Sequence, residues 1–365
     1  MRNLPLLRVL VFSLLLSGGS SAFAEESLVL NRKGKFSIPH NHQYSQASID
    51  AIHAGEFDIR SANKYKFSTV DTNDLWELLS KHSLAYASGK LNEYVEDIPF
   101  LLHSSFGLGF RSDGETNVSA DAMFKVIDFG NDESGNILGL AFVHTKYQAH
   151  FDSGSTLNLG LGFRKRANDY SMYGLNTYWD YRMTNYSSAH SRFGLGAEYF
   201  WKDLSLRNNW YMSGTGVKSI TVNGTDYYER VVPGWDVEVG YRLPFYPSLA
   251  FYLKGFNWDY KYRNDNSGVK ATVAWQATPH FGLNAWASNE IPSNATSADS
   301  DLDNQQSLVV GVNFVLTANK VEYKPSYKDN LLQEMKNPVR RRYDVLVERY
   351  TEDTAAGWNA KTLAK

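Results

Sequence analysis

Apolar and polar residues alternate with a period of two through most of the stretch from 104 to 317. In the segment YGLNTYWDYRM, residues 173–183, Trp179 belongs to a mostly apolar alternate series, whereas Asp180 and Arg182 belong to a mostly polar one. A period of two is that of a β-strand, in which successive side chains point to opposite faces. The pattern therefore predicts strands that have one apolar face and one polar face.

Segments of this kind recur at a spacing that fits a closed membrane-spanning barrel. Such barrels have an even number of tilted strands, each of about ten residues. The second, third and ninth of our segments alternate less cleanly than the others. We predict twelve strands, at 104–112, 120–129, 136–147, 156–164, 171–183, 191–201, 203–212, 234–243, 250–260, 268–277, 280–287 and 306–317.

The connections between the predicted strands support a barrel. In the second half of the chain, short and longer connections alternate, in the order 202, 213–233, 244–248, 261–267, 278–280 and 288–305. Outer-membrane barrels have short periplasmic turns and longer external loops. We therefore expect both ends of the barrel segment to lie on the periplasmic side.

The polar faces of the strands are rich in glycine and carry opposite charges close together. The solvent face of a soluble β-sandwich would instead be rich in Lys, Glu and Thr, so this composition favours a confined polar lumen. The predicted fold is all-β, a transmembrane antiparallel β-barrel of about twelve strands over residues 104–317. Its charged residues can line a path for a polypeptide or a solute, or they can pair across the wall and stabilise the interior. The residues expected to line the lumen are Arg164, Asp180, Arg182, Arg192, Glu198, Arg207, Asp236, Glu238, Arg242 and Lys270.

The chain begins with a different kind of segment. Residues 1–24 have the basic start, apolar run and Ala22-Phe23-Ala24 ending of a secretory signal peptide. No later stretch of about 18 apolar residues occurs, which excludes an inner-membrane helical protein. We expect 25–103 to form a periplasmic N-terminal segment with one amphipathic helix near 73–80.

Residues 318–365 follow the last predicted strand as a periplasmic tail. A short helix is expected at 329–336, ended by Asn337-Pro338, because the residue before a proline disfavours helical geometry. The run RRRYDVLVERY follows at 340–350. Its arginines can bind lipopolysaccharide phosphates, or they can pair with Asp236, Glu238 and Glu198 as part of a lumen plug. The residues expected in this plug and linker are Arg340, Arg341, Arg342, Tyr343, Glu348 and Tyr350.

Composition narrows the possible chemistry. The chain has no cysteine, which excludes disulfides and thiolate metal sites. Its net charge of −2 gives no overall electrostatic field that would attract nucleic acid. Its 14% aromatic content is expected mainly at the membrane interfaces. The nine histidines show no Ser/His/Asp arrangement, and His40 and His42 lack a third ligand. We therefore expect no enzymatic activity, no cofactor and no metal.

Four segments together resemble the translocator domain of the inverse autotransporters, the intimin/invasin family. They occur in the family's order, as residues 173–182, SRFGLGAEYFWKDL at 191–204, GWDVEVGYRLPFYPSL at 234–249, and RRRYDVLVERY at 340–350. The resemblance implies a twelve-stranded outer-membrane barrel in which the segment after the last strand forms a short helix and re-enters the lumen in extended form. It also implies outer-membrane lipid and lipopolysaccharide as surroundings, and assembly by periplasmic chaperones and the barrel-insertion machinery.

One departure from the family concerns the passenger. In the family the linker leads immunoglobulin-like domains to the cell surface, whereas 15 residues follow Tyr350 in this sequence. We therefore expect that the chain is not itself an adhesin of the usual kind. Fully extended, residues 337–365 would reach about 95 Å, at about 3.3 Å each, and a bilayer is about 40–45 Å thick. The tail can thus reach the surface of a Gram-negative cell.

Two functions remain open. The first is a translocator barrel that supports export or surface display of its short C-terminal tail, or of a separately encoded passenger, with a link to adhesion. The alternative is a stand-alone outer-membrane channel or structural barrel that has lost its passenger.

Overall fold

The structure is a computed structural model that describes residues 98–151, 153–186, 190–222, 224–290, 307–353 and 355–356. The expected signal peptide, the helix near 73–80, and His40 and His42 lie outside the described residues.

The described residues form a closed antiparallel barrel of twelve strands, which confirms the predicted fold class. Neighbours in sequence are neighbours in the wall, and the first strand closes the barrel by pairing with the last, from Ser105 opposite Thr317 to Arg111 opposite Gly311. The barrel strands are β1 (Leu101–Arg111), β2 (Thr116–Asp128), β3 (Gly139–His150), β4 (Gly154–Arg166), β5 (Ser171–Met183), β6 (His190–Trp201), β7 (Leu204–Ser213), β10 (Gly234–Arg242), β11 (Leu249–Trp258), β12 (Asn266–Thr278), β13 (Phe281–Glu290) and β14 (Ser307–Thr317).

The connection between β7 and β10 contains a hairpin of two further strands. They are β8 (Lys218–Val222) and β9 (Thr225–Val231), in a stretch that the alternation pattern left as a plain loop. The sequence signal for this hairpin is Asn223-Gly224, a dipeptide typical of two-residue β-turns. We call the end of the barrel that carries this hairpin the hairpin end, and the opposite end, where Leu101 and Thr317 lie, the terminal end.

The two faces of the wall differ as the alternation predicts. In β5, Leu175 and Trp179 are 52% and 39% exposed on the outer face, whereas Asp180 is fully buried on the inner face. An apolar outer face and a polar inner face are what a barrel in lipid requires. Aromatic side chains exposed on the outer face include Tyr173, Tyr199, Trp201, Trp210, Trp235, Tyr241 and Trp275.

After β14 the chain forms the helix α1 (Tyr327–Lys336) at the terminal end. The helix begins two residues earlier than predicted, because Ser326 serves as its N-cap and accepts a hydrogen bond from the backbone N–H of Asp329. Leu331 and Met335 are buried in one apolar cluster with inner-face residues of the barrel. No helix in the described part of the chain is long and apolar enough to cross a membrane.

Beyond α1 the chain continues to a short strand, β15 (Val347–Tyr350), which pairs with β9. The helix therefore lies at one end of the barrel and β15 lies at the other. Residues 337–346, which we call the lumen segment, cross the interior between them.

Candidate functional site in the barrel lumen

The lumen segment begins where Arg164 of β4 holds the end of α1. The Arg164 Nη1 atom donates to the backbone carbonyls of Glu334 at 2.8 Å and of Asn337 at 2.5 Å, and its Nε donates to Glu198 Oε2 at 2.8 Å. The last carbonyls of a helix lack partners within the helix and carry a partial negative charge. A buried guanidinium is thus placed where it both satisfies these carbonyls and fixes the helix to the wall.

The helix is also held through its own carboxylate. Glu334 Oε1 accepts a hydrogen bond from Arg242 at 2.8 Å, and Glu334 Oε2 lies 3.6 Å from Arg207. Arg207 lies within 3.5 Å of both Glu198 and Glu238 as well. These inner-face charges form one network at the terminal end.

Further along, Arg341 inserts into the wall formed by β5 and β6. Its two terminal nitrogens contact the two oxygens of Asp180 at 2.9 and 2.7 Å, a bidentate geometry typical of strong Arg–carboxylate pairs. Arg192 Nε donates to the same carboxylate at 2.8 Å. Gly194 provides the space, since a Cβ atom there would lie 2.5 Å from an Arg341 nitrogen.

Side chains of the wall also bind the backbone of the lumen segment. Arg192 donates to the carbonyls of Arg342 at 2.8 Å and of Asp344 at 3.0 Å. The Tyr211 hydroxyl accepts from the backbone N–H of Arg342 and donates to Asp236, both at 2.7 Å. An extended segment without a neighbouring strand needs such partners for its peptide groups. The lumen segment is therefore bonded in place, not only enclosed.

The pairing of the three arginines differs from the expected pairing. Arg340 does bind Glu238, at 2.7 Å. Arg341 binds Asp180, and Arg342 binds Glu290 at 3.2 Å. Successive side chains of an extended segment point in opposite directions, so three consecutive arginines cannot face one wall. The expected partners are otherwise engaged, since Glu198 binds Arg164 and Asp236 binds Asn209 and Tyr211.

The remaining predicted residues lie at identifiable places. Arg182 pairs with Asp344 near the hairpin end. Tyr343 lies inside the lumen, where its hydroxyl donates to the Val339 carbonyl and its ring packs edge-on against Tyr178. All ten predicted lumen residues are on the inner face. Lys270 differs from the other nine, because its Nζ lies 3.4 Å from the centre of the Trp286 ring and has no carboxylate within salt-bridge distance among the described residues.

Glu348 and Tyr350 lie at the hairpin end, in β15. Opposite charges face each other across β9 and β15, with Glu348 2.9 Å from Arg230 and Arg349 2.6 Å from Glu229. Tyr350 packs between the rings of Tyr228 and Tyr262.

We call the pairing of β9 with β15 the latch. Its residue Glu229 has a second partner, His190, at 3.0 Å. Burial favours a raised pKa for Glu229, but the hydrogen bonds from His190 and Arg349 outweigh burial and hold the pKa below its usual value. The carboxylate is therefore charged at neutral pH, as the pair with Arg349 requires.

The partners of the lumen segment that were not predicted from the sequence include Tyr211 and Glu290. Tyr211 lies on the inner face, near the C-terminal end of β7. No sequence feature distinguishes it from the other tyrosines in the strands. Glu290 was missed because the predicted strand stopped at 287. Had the alternation been followed to the end of β13, Glu290 would have shared the inner face with Trp286 and Ser288.

The lumen is not filled by the segment. A polar cavity of about 460 Å³ lies beside it, and its lining includes inner-face residues of β1, β2, β3 and β10 to β14 as well as the segment itself. We call β1, β12, β13 and β14 the cavity-lining wall, because their inner faces carry mainly small side chains, and we call β4, β5, β6, β7 and β10 the tail-bearing wall. Within the described residues, no group of three or more His, Asp or Glu is placed to hold a metal ion.

A closed barrel with an apolar outer face, and with a C-terminal segment bonded through its lumen, defines an outer-membrane β-barrel protein. The family model of the inverse autotransporter β-domain matches residues 58–343. The chain therefore belongs to the inverse autotransporter family, which confirms the family predicted from the sequence.

The sequences of several known proteins are similar to part of this chain. A putative attaching and effacing protein homolog from Escherichia coli K12 is 34% identical over 35% of this chain and 41% of its own length. The inverse autotransporter adhesin YeeJ of the same strain is 37% identical over 29% of this chain and 4% of its own length. Intimin from Citrobacter freundii is 33% identical over 32% of this chain and 12% of its own length. The matches thus span less than half of each of these three relatives.

A solved structure supports the fold. A protein from a study of in-meso crystallization of membrane proteins superposes with a TM-score of 0.52 at 20% identity, over 68% of this chain and 100% of that chain. At this identity the likeness bears on the fold alone.

Proposed function

We propose that this chain is a translocator barrel that holds its C-terminal segment across the outer membrane and presents the residues after Tyr350 outside the cell. The observation that carries the proposal is the path of the chain: α1 is fixed at the terminal end and β15 at the hairpin end. The bonds from Arg164, Asp180 and Arg192 to the lumen segment support a stable crossing.

The terminal end is proposed to face the periplasm. It carries two-residue turns at 202–203 and 279–280, whereas the hairpin end carries the connections 214–233 and 291–306. Short turns on the periplasmic side and long loops on the outside are general for such barrels.

The cargo is either the chain's own C-terminal residues or a passenger encoded separately. A link to adhesion is proposed because YeeJ is named an adhesin. The role is proposed to be non-enzymatic. Outer-membrane lipid, lipopolysaccharide, periplasmic chaperones and the barrel-insertion machinery are the proposed partners.

Labelling of whole cells tests the orientation. A peptide epitope is inserted after Asp353, and a matched epitope is inserted after Lys320, on the other side of the lumen segment. We expect antibody to bind intact cells that carry the first epitope, and to bind the second only after the outer membrane is permeabilised. Equal labelling of both epitopes on intact cells, or the reverse pattern, contradicts the proposal.

A stand-alone channel is the second candidate, and the cavity beside the lumen segment is the observation that favours it. Conductance of the purified protein in planar bilayers separates the two. A translocator with a bonded segment has a small conductance that rises several-fold when 337–365 are deleted. A large and steady conductance in the intact protein, unchanged by the deletion, favours the channel.

A further inference from the structure

The cavity beside the lumen segment extends along the barrel axis. Its lining includes Thr317 and Tyr323 at the terminal end, and Arg111 and Glu290 at the hairpin end. With a volume of about 460 Å³ it can hold a chain of water molecules. The cavity therefore runs beside the lumen segment, from residues near one end of the barrel to residues near the other.

The space arises from the side chains of the cavity-lining wall. Where the tail-bearing wall has arginines and carboxylates, the cavity-lining wall has mainly small or short polar inner-face residues, namely Ser105, Gly107, Gly109, Thr272, Ala274, Gly282, Asn284 and Asn313. Such side chains reach only a short way into the lumen. The cavity is thus a consequence of the inner-face residues of β1, β12, β13 and β14.

The carboxylates that line the cavity are paired. Each contacts at least one cationic side chain, in the pairs Asp121–Lys146, Asp236–Lys254, Glu238–Arg340, Glu290–Arg342, Glu334–Arg242 and Asp344–Arg182. A carboxylate that is already neutralised by a neighbouring cation attracts a passing cation only weakly.

Lys270 is the exception among the lining charges. It lies over the Trp286 ring, which Arg111 also approaches, at 5.6 Å from its centre. Its register partner in β11 is a second lysine, Lys254, whose contacts to Asp236 and Glu238 are long, at 3.5 and 3.9 Å. Two adjacent lysines, one of them without a salt-bridge partner among the residues that the structure describes, make this part of the cavity electropositive.

We propose that the cavity is a conduit for small hydrated anions that operates while the lumen segment remains in place, and that Lys270, with Lys254, sets the preference for anions. Rings and clusters of basic side chains give pores this preference by favourable electrostatic interaction with the ion. The ligand class is a small inorganic anion, for which chloride is the probe.

The first measurement asks whether ions pass beside the segment. Val231 and Val347 are register partners in β9 and β15, and the chain has no native cysteine, so Val231→Cys with Val347→Cys can form one disulfide that holds the segment in place. We expect the oxidised full-length protein to conduct in a planar bilayer as it does after reduction. A silent oxidised protein that conducts only when reduced means that ions flow after the segment leaves, and this overturns the inference.

The second measurement asks which ions pass. In a KCl gradient, the locked protein is expected to show a reversal potential of the sign for anion preference, larger at low salt because screening is weaker. Lys270→Gln should move this potential toward zero, and Lys270→Glu should reverse its sign. Lys320→Gln is the matched control, since Lys320 lies outside the lumen beside Glu322. A potential that Lys270→Gln and Lys320→Gln leave equally unchanged overturns the assignment.

Each variant is first checked for the folded barrel by its resistance to unfolding in unheated detergent, so that only assembled protein is scored. The result is independent of the proposed export role. An anion-preferring conduit can exist in a barrel whose C-terminal epitope is not displayed, and an exported tail can cross a lumen that conducts nothing.

Discussion

The tail-bearing wall and the cavity-lining wall are built from the same kind of β-strand but carry different side chains on their inner faces. The tail-bearing wall presents Arg164, Asp180, Arg192 and Glu198, each nearly inaccessible and each bonded to another charge or to the tail. The cavity-lining wall presents mainly Gly, Ala, Ser, Asn and Thr. Both walls expose apolar side chains on the outer face, such as Leu195 in β6 and Val273 in β12. The difference shows that one barrel can bind a polypeptide mainly through one wall and leave a cavity beside the other, which contacts the segment through Glu290.

Loss of Asp180 tests the tail-bearing wall most severely. Asp180→Ala leaves Arg192 and Arg341 buried side by side without their carboxylate, and breaking a buried ion pair costs about 3–5 kcal/mol. The free energy of unfolding, from urea titration of the barrel in lipid vesicles, measures the loss. Thr272→Ala on the cavity-lining wall is the control, with an expected change below about 0.5 kcal/mol.

A double-mutant cycle shows how much of that loss comes from the interaction between Asp180 and Arg341. Arg341→Ala combined with Asp180→Ala removes one of the two unpaired cations, so the double variant should be more stable than the sum of the single effects predicts. Simple additivity would show that Arg341 and Asp180 do not interact.

Substitutions on the outer face test whether the difference between the tail-bearing wall and the cavity-lining wall is confined to the lumen. Leu195 of β6 and Val273 of β12 are exposed near the middle of their strands on the two walls. An arginine at the bilayer midplane costs about 2–4 kcal/mol, so Leu195→Arg and Val273→Arg should impair vesicle folding to the same degree. If one wall tolerated arginine and the other did not, the walls would differ outside as well.

A substitution in the latch at the hairpin end tests whether the C-terminal part of the chain is held mainly by the lumen segment. Arg349→Ala removes a partly exposed partner of Glu229, while His190 remains, so we expect a loss of about 1 kcal/mol. Amide hydrogen exchange should speed up in 347–350 and stay slow at Arg342. Asp226→Ala, in the same hairpin but bonded to Thr221, is the control. Faster exchange at Arg342 would place the main hold at the latch.

The smallest effect is expected where α1 meets the turns of the terminal end. The hydrogen bond from Lys328 holds the pKa of Asp132 below its usual value, and Asp132 raises the pKa of Lys328. Stabilisation from Asp132 is complete above about pH 3.9 and is lost as the pH falls through its lowered pKa. That from Lys328 is complete below about pH 10.4 and is lost as the pH rises through its raised pKa.

The effect of Lys328→Ala on exchange in α1 should therefore be the same at pH 5 and pH 9. A marked difference between these two values would show that another group titrates at this contact.

Strands were predictable from the sequence because lipid and lumen impose opposite requirements on alternate residues. The pattern was weak in 120–129, one of the three segments that alternate less cleanly, and the structure shows the reason for this segment. The pairing of β2 with β3 shifts between Lys125 and Ile127, so one extra residue reverses the alternation there.

The partners of the tail were less predictable. Arg341 meets Asp180 only because the extended segment turns alternate side chains to opposite walls, which depends on its position inside a closed barrel. Its own sequence, three arginines in a row, carries no information about which carboxylates lie on which side. The family resemblance correctly placed the segment in the lumen, but it did not supply these pairs.

The arrangement around Arg164 has a mechanical consequence. A pull on the chain beyond Tyr350, directed away from the barrel, loads β15 along its length and then the lumen segment. Helix α1 is about 10–12 Å wide with its side chains, which is much wider than an extended chain. Charged side chains of the wall already occupy the part of the lumen that the helix would have to enter. Tension would draw the helix more tightly against Arg164 and Arg242. The barrel can therefore bear a tensile load without a covalent anchor at its hairpin end.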